Sequence, residues 1–174
     1  MMFFTGFLRY AALCILFWGV AACADDQQIT AEAPDSARQA AGPRLSVYKS
    51  PACGCCSDWV DHIEAAGFTT SIHHPDNLNR IKAERGIAPR YGSCHTAISG
   101  QGYVFEGHIP ARYIRQFLDN PPAAAIGLAV PAMPVGSPGM EMDGRFSPYQ
   151  VLLLDKDGGH TVFARVATQA EQYQ

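Results

Sequence analysis

The hydrophobic period changes abruptly across residues 50–56, and this constrains the fold more than any other feature of the chain. Leu45 to Lys49 (LSVYK) reads as a short buried strand, closed by Ser50-Pro51. From Cys56 to Ala66 the apolar residues Trp59, Val60, Ile63 and Ala66 fall at helical spacing, and Gly67 stands where a left-handed C-terminal cap belongs. A strand that feeds a helix through a tight turn opens a β-α unit, and the turn here is SPACGCC, with Cys53, Cys55 and Cys56 inside four positions.

The pattern continues. Phe68 to His74 alternates as a second strand, Pro75-Asp76-Asn77 ends it, and a helix is expected near Leu78 to Arg85. Ser93 to Ser99 and Tyr103 to Gly107 read as a hairpin about Gln101-Gly102. After Pro110, ARYIRQFL carries Tyr113, Ile114, Phe117 and Leu118 on one face and stops at Asn120-Pro121-Pro122. The order βαβαββα predicts an α/β domain of thioredoxin-like type, with parallel first strands, an antiparallel hairpin and helices on both faces. Such a sheet places its site at the carboxyl ends of the strands, where the cysteines lie. Residues 121–149 hold six prolines and three methionines and read as a long irregular loop, a kind usually kept for function. VLLLDKDGGHTVFARV then reads as an added C-terminal β-hairpin.

Residues 1–23 read as an export signal: Arg9 precedes an apolar run too short to span a bilayer comfortably. Val20-Ala21-Ala22-Cys23 looks like a lipobox that would make Cys23 a lipid anchor, and ordinary cleavage near Ala22 or Ala24 is the competing reading. Either places the mature protein in the periplasm, with the membrane involved only through the anchor. Residues 24–43 are polar, alanine-rich and free of aromatics, the composition of a disordered tether. Residues 44–167 then form one domain and 168–174 a tail. Loss of Arg9 with the signal moves the formal charge from −3 to −4, and no basic run remains, which argues against nucleic acid as a partner.

Beyond Cys14 and Cys23 four thiols are left, Cys53, Cys55, Cys56 and Cys94. Cys53 and Cys56 have the spacing of a dithiol at a helix N-terminus, where the helix dipole favours thiolate, the form that attacks disulfides and binds metal. A third thiol would scramble dithiol exchange, so three together point to metal. Adjacent Cys55 and Cys56 diverge along the backbone and close no good chelate on one ion, but they can serve neighbouring ions, which favours a multinuclear site. Cys94, in GSCHTAIS, begins the third strand beside the dithiol and offers a fourth sulfur; the bland alternative makes Cys94 a buried core residue and His95 an exposed strand residue. His108, in EGHIPAR, is free to turn inward or to cap a turn. In the loop, Met133 and Met140 lack the periodicity of a core stripe, and thioether combined with thiolate and imidazole selects soft Cu(I) where zinc would accept cysteine and histidine alone. Met142 is as readily a surface residue. His62, His73, His74 and His160 are read as solvated or structural.

In this order CGCCSDWV, GSCHTA, GHIPARYI and VPAMPVGSPGMEM resemble the CopG-like periplasmic copper-resistance proteins, over residues 45 to about 165. The resemblance implies a thioredoxin-like fold, copper binding through the cysteine motif, and a role in tolerating excess copper by interconverting Cu(I) and Cu(II). It carries onto Cys53, Cys55 and Cys56, onto Cys94, onto His108, and onto Met133 and Met140. Ile109 stands where valine is usual and Ala132 where glycine is usual, and the latter can alter the loop's backbone path.

The expected function is therefore an exported copper-binding protein that holds Cu(I) through these residues, with periplasmic electron-transfer or copper-handling proteins as partners. A thiol-disulfide oxidoreductase using Cys53 and Cys56, and a periplasmic copper metallochaperone, are the alternatives.

Overall fold

The structure, a computed structural model, describes residues 42–173. The export signal, the Cys23 lipobox and the tether up to residue 41 lie outside them. Strand β1 (Arg44–Lys49) leads into helix α1 (Gly54–Ala65), then β2 (Thr69–His73), α2 (Leu78–Glu84), β3 (His95–Ser99), β4 (Val104–Glu106) and α3 (Ala111–Asp119). That is the expected βαβαββα order. Strands β5 (Ala125–Ala129), β6 (Tyr149–Asp155) and β7 (His160–Val166) follow, with a short 3-10 turn at Gln169–Gln172.

One mixed sheet holds all seven strands in the order β2-β1-β3-β4-β5-β6-β7. β1 pairs parallel with β2 and antiparallel with β3, β3 pairs antiparallel with β4, and β4 parallel with β5. β6 and β7 form the expected hairpin, which β6 joins to β5. β5 corrects the reading of residues 121–149 as irregular throughout. Ala125–Ala129 is too short, and too broken by Gly127, to stand out between Pro121-Pro122 and Pro131, yet it inserts between β4 and β6 and carries the sheet across to the hairpin.

Strand residues alternate between two cores, as a pleated sheet covered on both faces requires. Leu45, Val47, Ala97, Phe105, Leu128 and Val151 join the buried faces of α1 (Trp59, Val60, Ile63) and α3 (Tyr113, Ile114, Phe117) in the larger core. Their neighbours Val104, Ala129, Leu152 and Leu154 pack with Ile87 and Tyr91 on the other face. Trp59 is fully buried, and its indole N–H donates to the Ile109 carbonyl at 2.9 Å, fastening α1 to the segment before α3. No helix among the described residues is long and apolar enough to cross a membrane. The terminal turn folds back: buried Gln172 donates to the Gly136 carbonyl at 2.8 Å and accepts from the Tyr149 hydroxyl at 2.5 Å, tying the chain end to the proline-rich loop and β6.

Candidate metal centre

Three chain segments meet at one end of the sheet. The first is the β1–α1 turn, in which Cys53 occupies the N-cap of α1 and makes no side-chain capping bond. Cys53 and Cys56, 5.4 Å apart at their α-carbons, are joined in a disulfide. Cys55 and Cys94 are free thiols, and Cys55 Sγ lies 3.5 Å from Cys53 Sγ. The second segment, Ser93-Cys94-His95, enters β3 and brings in the fourth sulfur. The ligating atoms of Cys53, Cys55, Cys56 and Cys94 all lie within 4.8 Å of one another.

The third segment follows β4 and supplies His108, which is fully buried. Its Nδ1 lies 2.7 Å from the Pro138 carbonyl and its Nε2 lies 3.0 Å from Cys94 Sγ. A carbonyl can only accept, so Nδ1 carries the proton and the Nε2 lone pair faces the sulfur. This is how metal-binding histidines are usually oriented, with the second ring nitrogen donating to a carbonyl. Burial lowers the pKa of His108 from 6.5, against the opposing pull of the Pro138 bond and the Glu141 charge, and so favours the neutral ring that binds metal.

Cys94 belongs to a second group as well. The ligating atoms of Cys94, His95 and His108 also lie within 4.8 Å of one another. Burial pushes the Cys94 thiol up to about 11, and the nearby Cys55 adds to the rise, so at neutral pH the thiol is protonated and a soft cation would displace that proton. His95 corrects the alternative that placed it exposed on the strand: it is fully buried, packed against the Trp59 ring at 4.3 Å and edge-on to His108 at 5.0 Å. Its Nδ1 is 3.5 Å from Cys94 Sγ, while its Nε2 is buried without a hydrogen-bond partner. Burial, then the charges of His108 and Lys82, hold its pKa well below 6.5. Sequence reasoning did not select His95 as a ligand, and its one signal was adjacency to Cys94.

The methionine loop reaches the same place through its backbone. Gly139, at φ +80°, lies against the first turns of α1, where an added Cβ would stand 2.5 Å from the Cys55 carbonyl oxygen and 2.7 Å from the Trp59 nitrogen. Met140 follows it and is half-buried, whereas Met133 and Met142 are 48% and 44% exposed. Ala132, just before Met133, adopts φ +58° and donates its N–H to the Gly92 carbonyl at 3.1 Å, next to Ser93. The remaining histidines have other partners. His62 Nε2 accepts the Ala111 N–H at 3.0 Å, His73 stacks on Tyr48, His74 Nδ1 lies 3.0 Å from the Lys49 carbonyl, and His160 Nδ1 lies 3.0 Å from the Tyr91 hydroxyl.

Four clustered cysteine sulfurs and two buried, neutral imidazoles form a soft donor set of the kind that suits copper. A family model described as "Protein of unknown function, DUF411" matches residues 91–140, which hold Cys94, His108, Met133 and Met140. A solved structure described as "Copper resistance protein copG- Form 1" is 41% identical over 71% of this chain and 96% of its own, with a TM-score of 0.66. The chain belongs to the CopG copper-resistance family. A second structure, "Copper resistance protein copG- Form 2", is 39% identical over 72% of this chain and 98% of its own, with a TM-score of 0.68. No curated protein matches the chain. Membership in this family and the Cys/His cluster together give the protein a copper-related role.

Proposed function

We propose that this is an exported copper-binding protein of copper tolerance. It holds Cu(I) through the thiolates of Cys53, Cys55, Cys56 and Cys94, helped by His108 and by thioether sulfur from Met140 and Met133. The observation that carries this reading is the gathering of four sulfurs from two segments within 4.8 Å, bordered by a buried neutral histidine. Four sulfurs at that spacing are too many for one ion to use with adjacent Cys55 and Cys56 both bound, which favours several ions and a cluster able to interconvert Cu(I) and Cu(II). Copper so held is kept from free reaction with its surroundings. The strand order β2-β1-β3-β4, parallel and then antiparallel, supports a thioredoxin-like core, and the polar stretch after the Cys23 lipobox suits a periplasmic domain on a lipid tether.

All four sulfurs are available only when the Cys53–Cys56 bond has been reduced, which takes two electrons and two protons from an external dithiol. Anaerobic titration of the reduced protein with Cu(I) tests the reading: at least two tight equivalents are expected, and fewer than one rejects it. The disulfide itself favours a second reading, a thiol-disulfide oxidoreductase whose attacking cysteine sits at the N-terminus of α1. Turnover on a thiol substrate that persists in Cys55→Ser and Met140→Leu would select the enzyme. Transfer of bound copper to an acceptor protein would select a metallochaperone.

A further inference from the structure

Glu106, on β4, is a fully buried carboxylate outside the sulfur cluster, two residues before His108. Its side chain lies on the Val104 face of the sheet, beneath α2, and forms an ion pair with Lys82, which is itself buried. Glu106 Oε1 also accepts the Ser93 N–H at 2.6 Å, and its Oε2 accepts the Thr96 hydroxyl at 2.6 Å. Lys82 Nζ donates in turn to the Ser93 carbonyl at 3.0 Å. Both backbone polar groups of Ser93, the residue before Cys94, are therefore held by this one ion pair. A buried ion pair contributes little net stability, because desolvation offsets the attraction, and its better-attested use is to fix register.

We propose that Glu106, with Lys82 as its counter-charge, is the positioning residue that sets Cys94 against His108 and Cys55. The carboxylate spans two neighbouring strands: it grips the peptide that leads into Cys94 while its own strand leads into His108. It thereby fixes the 3.0 Å approach of Cys94 Sγ to His108 Nε2. Gly107, between Glu106 and His108, lets the segments close up, since a Cβ there would lie 2.6 Å from the Ser93 side chain and 2.5 Å from the Val130 carbonyl oxygen. The consequence for copper rests on the proposed function; the consequence for Cys94 does not.

The test uses the full chain with the Cys53–Cys56 disulfide closed, and follows iodoacetamide alkylation of Cys94 and Cys55 by peptide mass spectrometry. Glu106→Ala is expected to raise the ratio of the Cys94 rate to the Cys55 rate at least fivefold. Glu106→Gln keeps an acceptor for the Ser93 N–H and a polar partner for Thr96, so it should stay within twofold of wild type. Val104→Ala weakens the same strand and face without touching Ser93, and should also stay within twofold. An unchanged ratio in Glu106→Ala, or an equal rise in Val104→Ala, overturns the proposal. If Glu106→Ala does not fold, Lys82→Met decides the matter, with at least a twofold rise expected and no rise overturning it. Competition of the reduced proteins with a chromophoric Cu(I) chelator should show a roughly tenfold weaker affinity in Glu106→Ala. Failure of the wild type to bind Cu(I) would remove the copper reading and leave the alkylation ratio to judge Glu106.

Discussion

The sulfur of Cys94 and the Nε2 of His108 stand 3.0 Å apart, one at the entry to β3 and the other just beyond the end of the antiparallel strand β4. Strand pairing brings the two segments together, and the Pro138 carbonyl orients the imidazole. Copper binding, redox state and pH should all act on this pair and the three cysteines beside it.

Cys53→Ser or Cys56→Ser removes a sulfur from the cluster, and each should lower Cu(I) affinity at least tenfold in competition with a chromophoric chelator. His62→Ala should change that affinity less than threefold. It should instead cost about 1–2 kcal/mol in urea unfolding, because the Ala111 N–H at the start of α3 loses its acceptor. Equal losses of affinity in all three variants would contradict the site.

Closing the Cys53–Cys56 disulfide withdraws two sulfurs and leaves Cys55, Cys94 and the histidines. The oxidised protein should therefore bind at most half the Cu(I) equivalents of the reduced one, measured by anaerobic titration. Matching stoichiometries would show that Cys53 and Cys56 are not ligands.

His62, His95 and His108 all have pKa values below 6.5, with burial the leading cause in each. As pH falls through about 6.5 the unfolded chain takes up protons before the folded one does, so stability present above 6.5 is lost below it. The loss continues until the folded pKa values are reached, and each unit of depression contributes about 1.4 kcal/mol. The urea midpoint of the copper-free protein should fall between pH 7.5 and 5.5. A flat profile over that window would mean that these rings titrate as they do in the unfolded chain.

Ala132 holds φ +58°, a conformation that costs an L residue about 1–2 kcal/mol and glycine little. After allowing for the greater freedom of glycine in the unfolded chain, Ala132→Gly should stabilise the protein by about 0.5–1 kcal/mol. Gly139→Ala should do the reverse, since its Cβ would press on the Cys55 carbonyl, and it should weaken Cu(I) binding as well as the fold. Thermal unfolding and the chelator assay read both variants. Unchanged copper affinity in a folded Gly139→Ala protein would detach the methionine loop from the site.

Family membership, the mixed α/β class and the gathering of the cysteine segments could be read from the chain, because strand and helix periods, turn residues and motif spacing are local properties. Ser50-Pro51 and Gly67 delimit α1 in the sequence as they do in the structure. Other features depend on partners far along the chain. β5 becomes a strand only because β4 and β6 flank it, which five residues among prolines cannot announce. His95 looks like an ordinary strand residue until Trp59, 36 positions earlier, and His108 enclose it. Lys82 and Glu106 look like surface charges until α2 closes over β4 and buries them against Ser93. The sequence alone determined which donors the protein owns and roughly where each element begins and ends. Tertiary structure decided which donors are buried, which way their rings face and what holds them, because burial and hydrogen-bond partnership arise between segments distant in sequence.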